Sequence, residues 1–414
     1  MQTPDPSDDT RLTPSRAAGL ERLRAFAPRM GARYARGRNF DRGPGAHRDV
    51  SVLSPWLRRR LVTEREVVAE ALAAHGPEGA EKFIHEVIWR GYFKGWLERR
   101  PSIWAQYRTG LERDLAALDR DRRLARDVAR AEAGETGIDC FDAWAQELAE
   151  TGYLHNHARM WFASIWIFTL ELPWRVGADF FLRHLLDGDP ASNTLGWRWV
   201  AGLHTRGKPY AAQAWNIARF TGGRFAPRDA DLAADVRGLD ELLEPEGLPP
   251  VTPLREPAAP EMEAPSALLI TEEDCAVADF TPTDLDLRTA ARLEASHLRS
   301  PRDVAAHVAE FDAGALRDAA ERAGVDAPPM RAGVPDDLAR WAARAGARQI
   351  VTAYVPEGPV RDWLRAAEPA LREHGIRLCE WQRGWDRAIW PHATAGFFKV
   401  KKAIPRILHD QGLT

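Results

Sequence analysis

Apolar residues recur at three- and four-residue spacing through the first half of the chain. This spacing places them on one face of a helix, whereas the alternation typical of strands is scarce before residue 226. The pattern therefore predicts an all-α region, with amphipathic helices within residues 62–72, 83–96, 141–148 and 158–170.

The pattern changes after a proline-rich stretch. Seven prolines occur from Pro245 to Pro265, and neither helix interiors nor central strands tolerate proline. Residues 242–266 are therefore predicted to be a linker. Beyond the linker, short apolar runs alternate with amphipathic segments, an order that predicts βαβ units and a parallel sheet. The predicted strands lie at 267–270, 349–354 and 376–379, and the predicted helices at 316–323, 336–345 and 360–374.

Together these patterns predict an α plus α/β fold, in which an all-α domain is followed by a small α/β domain with a parallel sheet. The predicted ranges are a disordered tail at 1–15, a helical domain at 16–241, the linker at 242–266 and the α/β domain at 267–405.

Charge is distributed unevenly along the 414 residues, although the net charge is only -3. Residues 1–228 hold 35 Lys and Arg against 28 Asp and Glu, a net of +7, and the remainder carries -10. The first region could therefore meet an anionic partner, and uneven composition without a function is the alternative. Tryptophan is also concentrated there, with 11 of 16 residues before position 228.

Three cysteines, Cys140, Cys275 and Cys379, exclude a disulfide scaffold and a four-cysteine metal site within the chain. No apolar run approaches the ~18 residues of a membrane span, and the N-terminus has no apolar core typical of a secretory signal. We therefore expect a cytoplasmic monomer with no membrane partner and no metal.

Polar residues interrupt an otherwise apolar, tryptophan-rich stretch at 151–199. They are Asn156, Arg159, Asp187, Asp189 and Asn193. Burying such groups costs free energy unless they pair with each other or with a ligand. Arg159 could pair with an Asp of the DGD segment, and the other groups suit a large, flat cofactor with polar edges. The alternative is a purely structural pair of buried helices.

The same stretch closely resembles the FAD-binding domain of the DNA photolyase/cryptochrome family. The family pattern is roughly TGxxHNxxRM, then a Trp, then DGDxAxNxxGWxW. Residues 151–160 read TGYLHNHARM, Trp174 follows, and residues 187–199 read DGDPASNTLGWRW. Upstream, residues 86–93 (EVIWRGYF) and 51–55 (SVLSP) resemble two further family segments, so the resemblance spans about residues 34–225.

The resemblance implies FAD in a U-shaped conformation, with Arg159 paired to Asp187 and Asn193 facing the flavin N5 atom. Val50 and Val52 depart from the family pattern beside the diphosphate segment, and His157 stands where many repair enzymes carry Arg. The implied FAD-binding residues are Tyr34, Arg38, Ser51, Leu53, Ser54, Phe83, Glu86, Arg90, Asn156, Arg159, Asp187, Asp189 and Asn193.

The resemblance further implies light-dependent DNA repair, in which photoexcited reduced FAD donates an electron to a pyrimidine dimer in UV-damaged DNA. The implied catalytic residues are Glu86, Asn193, Trp197 and Trp174, the two tryptophans belonging to a photoreduction relay. The implied substrate pocket consists of Glu86, Trp89, Asn156, Met160 and Trp199. The alternative function is a cryptochrome-like blue-light photoreceptor that binds FAD without repair activity, and the type of lesion stays open.

The α/β region resembles the second half of the family's antenna domain, which ordinarily precedes the helical domain. Its late position implies a permuted or shortened antenna domain. A second, light-harvesting chromophore is therefore left open.

Overall fold

The computed structural model describes residues 12–414. Its helices are α1 Arg16–Phe26, α2 Ala32–Gly37, α3 Ser54–Arg58, α4 Glu64–Glu98, α5 Pro101–Arg120, α6 Arg122–Ala133, α7 Asp139–Thr151, α8 Asn156–Ser164, α9 Trp174–His184, α10 Pro190–Val200, α11 Ala214–Phe220, α12 Asp240–Leu243, α13 Ala306–Ala323, α14 Asp336–Arg344, α15 Pro359–Glu373, α16 Gly384–Ile389 and α17 Phe398–Asp410. A π-helical turn, Ile165–Thr169, continues α8. The strands are β1 Ser266–Ile270, β2 Leu287–Glu294, β3 Pro329–Arg331, β4 Gln349–Ala353 and β5 Arg377–Trp381.

The predicted fold class is confirmed, because helices dominate the first part and one five-stranded parallel sheet follows. The sheet order is β3-β2-β1-β4-β5, with β1 paired to both β2 and β4. The three predicted strands correspond to β1, β4 and β5, and the predicted helices of this region correspond to α13, α14 and α15. Among the described residues no helix is long and apolar enough to cross a membrane.

The described chain forms two compact units that do not follow the order of the sequence. One, here the helical unit, comprises residues 31–52 and 100–250 together with residue 12. The other, here the sheet unit, comprises residues 13–30, 53–99 and 251–414. The domain ranges expected from the sequence stay a prediction, and these compact units cut across them.

Helix α4, which belongs to the sheet unit, is long and kinked. It begins with a capping box, because Thr63 accepts a hydrogen bond from the backbone of Glu66 while the Glu66 side chain accepts one from the backbone of Thr63. The kink lies at Gly76, whose φ is 66°, and Pro77 follows, so the helical hydrogen bonding is interrupted there. The second half of α4 carries several of the predicted site residues.

Parts of the predicted tail and linker make specific contacts inside the sheet unit, although residues 1–11 of that tail lie outside the described residues. The indole of Trp56 donates a hydrogen bond to the carbonyl of Thr13 (3.0 Å). Ala258 forms a parallel bridge with Cys379 of β5, and the backbone of Glu261 donates to the side chain of Gln349 on β4. This part of the proline-rich chain therefore runs alongside β5 and contacts the start of β4, so it is not a free tether.

A network of buried ion pairs follows β1 in the sheet unit. Three successive arginines, Arg58, Arg59 and Arg60, are all buried. Arg58 donates to Glu273 (2.7 Å), Arg59 pairs with Asp312, and Arg60 donates to Asp386 (2.6 Å). The other members of the network are Glu64, Lys94, Glu272, Asp274, Arg299 and Arg383.

Removing one partner from this network should destabilise the sheet unit strongly. Asp312 pairs with Arg59 and Arg299 and accepts a hydrogen bond from Ser296 (2.7 Å). Asp312→Ala leaves two buried guanidinium groups short of a partner, which should cost about 3–5 kcal/mol. Urea denaturation followed by circular dichroism measures the loss of unfolding free energy.

The matched control is Asp337→Ala, which breaks an exposed ion pair with Arg340 in the same unit. Exposed pairs contribute little, so this change should stay within about 0.5 kcal/mol. Equal stability of the two variants would contradict a stabilising role for the buried network.

Candidate functional site

The predicted site residues are divided between the two units. Tyr34, Arg38, Ser51, Asn156, Met160, Arg159, Trp174, Asp187, Asp189, Asn193, Trp197 and Trp199 belong to the helical unit, and Leu53, Ser54, Phe83, Glu86, Trp89 and Arg90 to the sheet unit. The roles assigned to them from the sequence stay predictions.

An ion pair joins the two motifs that the sequence singles out in the helical unit. The Arg159 guanidinium donates to Asp187 Oδ2 (2.9 Å) and to the carbonyl of Leu154 (2.8 Å). Asp187 is buried, and Arg159 is half-buried. The expected pairing of Arg159 with an Asp of the DGD segment is therefore present, and it fixes α8 against the turn that precedes α10.

The second aspartate of the DGD segment starts α10. Asp189 occupies the N-cap position, where its side chain accepts a hydrogen bond from the backbone of Ser192 (2.9 Å), and Pro190 is the first helical residue. Both residue types are favoured at these positions. Asn193 lies one turn further, buried, and its side-chain amide donates to the carbonyl of Ala178 on α9 (2.7 Å). The amide is thus held in one orientation.

Trp197 lies one turn beyond Asn193 on the same face of α10. Its ring packs edge-to-face against Phe181 (5.1 Å between centroids) and Trp166 (6.3 Å). Gly177 on α9 permits this approach, because a Cβ built there would lie 2.4 Å from Trp197 Cη2 and 2.8 Å from Trp166 Cε2. Trp197 therefore packs directly on the backbone of α9.

Trp174 begins α9, three residues before Gly177 and on the same face. Its ring contacts Tyr107 (5.9 Å between centroids), which in turn stacks on Trp104 (5.3 Å). Trp174, Tyr107 and Trp104 thus form a group of aromatic side chains between α9 and α5. Within the described residues, the buried indole nitrogens of Trp174 and Trp197 make no hydrogen bond.

The histidines near the start of α8 are held uncharged by their surroundings. Burial, followed by the charges of His47 and other neighbours, lowers the pKa of His155 to about 3. Burial and then the nearby Arg38 lower the pKa of His157 to about 4. His157 is therefore neutral at pH 7, so the position where many repair enzymes carry Arg holds no cation here.

One residue that the sequence analysis missed organises the segment containing Tyr34, Arg38 and Ser51. Asp41 is fully buried and accepts hydrogen bonds from the indole of Trp144 (2.9 Å) and the guanidinium of Arg224 (2.5 Å). It thereby ties residues 31–52 to α7 and to the end of the family-like region. The only signal in the sequence is an acidic residue within the basic, glycine-rich run 36–48, which does not identify its partners.

The diphosphate segment expected near Ser51 has an unusual backbone. Val52, one of the two valines at which the sequence departs from the family pattern, has a φ of 51°. Left-handed backbone is unfavourable for a β-branched residue, so neighbouring structure must hold it in place. The short helix α3 begins two residues later at Ser54.

In the sheet unit the predicted residues lie along the second half of α4. Phe83, Glu86 and Arg90 are spaced at i, i+3 and i+7, so they share one face of the helix. Phe83 is buried against Phe26 (6.0 Å between centroids), whereas Glu86 and Arg90 are half-buried. Trp89 is also half-buried, and its ring is stacked by Phe397.

The remaining predicted pocket residues lie in the helical unit at the surface or half-buried. Asn156 is exposed at the first position of α8, and Met160 is half-buried one turn later. Trp199 is half-buried and packs on Tyr210 (5.4 Å between centroids). These side chains are accessible to a ligand, unlike the fully buried tryptophans of the same unit.

The chemistry of this set in the helical unit fits a flavin. A flavin ring offers alternating donors and acceptors along its edge, beside a large apolar face. Asp187 supplies a carboxylate, Arg159 a guanidinium and Asn193 an amide, all held by neighbouring backbone or side chains. The buried hydroxyl of Thr194 and indole of Trp197 have no hydrogen-bond partner within the described residues, as expected beside a bound polar group.

Comparison with known proteins identifies this region. Residues 83–224 match the family model described as the FAD binding domain of DNA photolyase. The matched range includes the DGD segment and α4 from Phe83 onward, but not Tyr34, Arg38 or the segment around Ser51. This is a flavoprotein domain, and its cofactor is FAD. Over these residues the chain is similar to the DNA photolyase/cryptochrome family.

Known proteins are similar to this chain over part of its length. The deoxyribodipyrimidine photo-lyase of Streptomyces griseus is 39% identical over 160 residues, 38% of this chain and 33% of that protein. A deoxyribodipyrimidine photo-lyase of Thermus thermophilus is 36% identical over 203 residues, 48% of this chain and 45% of that protein. A bacterial class III photolyase structure from Agrobacterium tumefaciens is 27% identical with a TM-score of 0.43, covering 54% of this chain and 46% of that one. The chain thus spans less than half the length of these relatives.

Gly177→Ala should disturb the packing of Trp197. The added methyl group would meet the Trp197 and Trp166 rings at 2.4–2.8 Å, well inside contact distance, so both rings must shift. We expect a stability loss of roughly 1–3 kcal/mol, measured by chemical denaturation, together with a change in tryptophan fluorescence.

Gly196→Ala on α10 is the matched control, because a Cβ there meets no atom within 4 Å. This change should be neutral or stabilise by up to about 1 kcal/mol, since alanine favours helix over glycine. If both variants were equally stable, Trp197 would not depend on close contact with α9.

Proposed function

We propose that this protein is a flavin-dependent DNA photolyase that repairs pyrimidine dimers in UV-damaged DNA. The observation that carries the proposal is the arrangement inside the matched domain, where the Arg159–Asp187 pair and the anchored Asn193 adjoin Trp197. Relatives named deoxyribodipyrimidine photo-lyase support the assignment. Reduced FAD, when bound, would supply on excitation the electron that splits the dimer and would regain it afterwards, so the repair has no net change of oxidation state.

The side chains divide this task. Arg159, Asp187 and Asn193 orient the cofactor by hydrogen bonds whose geometry is already set by the protein. Glu86 presents a carboxylate to a pyrimidine edge, and Trp89 and Trp199 offer flat apolar surfaces to a base turned out of the duplex. A dimer is extruded at lower cost than an intact pair, because its stacking is already damaged. Asn156 and Met160 are the other proposed substrate contacts, and His157, being neutral, contributes no phosphate-binding charge.

We also propose that the protein is a cytoplasmic monomer, and its cysteines and its charge support the compartment and the DNA partner. Cys140, Cys275 and Cys379 are all free and buried, as expected in a reducing compartment. The net charge of +7 over residues 1–228 favours a polyanionic partner. A light-dependent repair assay on an oligonucleotide containing a cyclobutane dimer, with a 6-4 product as the second substrate, tests the proposal directly.

A photoreceptor without repair activity is the second candidate. The neutral His157 and the covered face of Trp89 favour it, because both weaken the contact expected with DNA. FAD-loaded protein that bleaches in light, but neither binds damaged DNA preferentially nor repairs it, would establish this alternative.

Trp89→Ala should remove the preference for damaged DNA. The flat surface that stacks on an extruded base is lost, whereas phosphate contacts that read no sequence remain. Binding to damaged and intact duplexes, measured by fluorescence anisotropy, should become nearly equal, with affinity for intact DNA changed less than about threefold.

The matched control is Trp215→Ala, which removes an exposed tryptophan outside the predicted pocket. Its preference for damaged DNA should equal that of the unmodified protein. Full discrimination by the Trp89 variant would contradict the pocket proposed here.

Trp197→Phe should slow light-driven reduction of the bound cofactor. Phenylalanine keeps much of the packing against Phe181 and Trp166 but is far harder to oxidise than tryptophan. We expect slow or absent bleaching of oxidised FAD under blue light with an external thiol reductant, while the dithionite-reduced variant still repairs DNA. Trp174→Phe should also slow this photoreduction if electrons reach the flavin through Trp174 at the start of α9.

The control is Trp363→Phe, which alters a buried tryptophan of the sheet unit whose indole donates to the carbonyl of Gly333 (2.7 Å). It should bleach at the rate of the unmodified protein. Unchanged bleaching in Trp197→Phe would reject this relay and favour a route through Trp166, whose ring lies 6.3 Å away.

A further inference from the structure

The turn that precedes α17 places an aromatic side chain on Trp89. The rings of Phe397 and Trp89 lie 4.0 Å apart between centroids at an angle of 10°, so they are stacked face to face. Phe397 also contacts Tyr92 (5.6 Å) and His85 (6.4 Å), all within the sheet unit. The C-terminal segment is thereby joined to the face of α4 that carries Trp89.

The helix that follows is unusually rich in lysine. The whole chain has six lysines among its 57 basic residues, and three of them are Lys399, Lys401 and Lys402. Lys399, Lys402 and Arg406 are exposed, and Lys401 is partly exposed near Glu81. The only acidic residue of α17 is Asp410 in its last turn, where it forms an exposed ion pair with Arg406 (3.5 Å). A compact lysine ammonium contacts phosphate as a point charge and needs no fixed bidentate geometry.

An exposed aromatic residue adjoins these lysines. Phe398, next to the residue that stacks on Trp89, is 74% exposed. Single exposed apolar residues are common on protein surfaces, but an exposed ring beside several cations has a specific use. Proteins that hold single-stranded nucleic acid combine basic surfaces along the backbone with aromatic rings on which bases stack.

We propose that residues 397–406 form a docking surface for a locally unpaired DNA strand. Lys399, Lys402 and Arg406 bind its phosphates, and Phe398 stacks on an unpaired base. The inference rests on the proposed function, because it takes Trp89 as the residue that faces the lesion. The strand opened by extrusion of a dimer then continues from Trp89 across Phe397 onto α17. Complementary charge and the exposed ring together favour this occupant over an acidic protein, which would need no aromatic stacking.

The test compares charge removal on α17 with the same change elsewhere in the sheet unit. In the FAD-loaded 414-residue protein, Lys399→Gln with Lys402→Gln should lower the slope of log affinity against log salt by about 2. Affinity for damaged and intact oligonucleotides should fall by similar factors, because phosphate contacts do not distinguish a damaged base from an intact one. The matched control is Arg344→Gln with Arg372→Gln, which removes two exposed charges from α14 and α15 and should leave the slope unchanged.

A second variant tests the stacking residue. Phe398→Ala should weaken binding of a duplex with an unpaired segment by about fivefold or more, with little effect on fully paired DNA. Phe398→Trp should retain the binding. Flavin content and circular dichroism verify that each variant is folded.

The outcomes separate this inference from the proposed function. Unchanged salt slope and unchanged binding in these variants, in a protein that still prefers damaged DNA through Trp89, would overturn the inference and leave the photolyase proposal intact. An equal loss of slope in the Arg344/Arg372 control would also overturn it. Unmodified protein that binds no DNA would reject the proposed function. If the lysine variant lost binding to anionic vesicles but kept its binding to DNA, the surface would face a membrane and the inference would be overturned.

Discussion

The buried ion-pair network after β1 is the constraint on which the sheet unit depends. Three arginines in succession, Arg58–Arg60, are removed from water, and such burial is tolerable only when every charge finds partners nearby. Those partners come from the turn after β1, from α13 and from α16. Because the arginines directly precede α4, the network requires residues 53–99 to pack with a sheet that lies about two hundred residues further along the chain.

The network also occupies the carboxyl edge of the sheet, where a ligand could otherwise bind. In open parallel sheets the crevice beyond the strand ends, where the order reverses, is the usual place for a ligand. Here the order reverses beside β1, and the carboxylates of Glu272, Glu273 and Asp274 that follow this strand pair with arginines of the same unit. At the end of β4, Glu98 of α4 accepts a hydrogen bond from Tyr354, and burial raises the pKa of this carboxyl to about 7. The second chromophore that the resemblance leaves open therefore gains no support from this edge.

Sequence patterns predicted the features that depend on local spacing. Hydrophobic periodicity predicted the amphipathic helices and the strands β1, β4 and β5. The polar residues of the two motifs suggested the Arg159–Asp187 pair. The strand β2 was missed since its residues, LRTAARLE, have no continuous apolar run. The Arg58–Glu273 pair joins positions 215 residues apart, and Asp41 joins Arg224 across 183 residues. No local pattern encodes such partners, so the grouping of α4 with the sheet could not be read from the chain order.

The positions of the residues predicted to contact a lesion therefore depend on buried polar contacts elsewhere in the sheet unit. Phe83, Glu86, Trp89 and Arg90 lie on one helix, and that helix begins beside Arg60 and ends with Glu98 bonded to Tyr354. Lys94, one turn beyond Arg90, pairs with Glu273 of the buried network. A shift of the network would consequently displace the second half of α4, because buried polar contacts hold its flank at Lys94 and its end at Glu98. The parallel sheet and the ion pairs after β1 thus support α4.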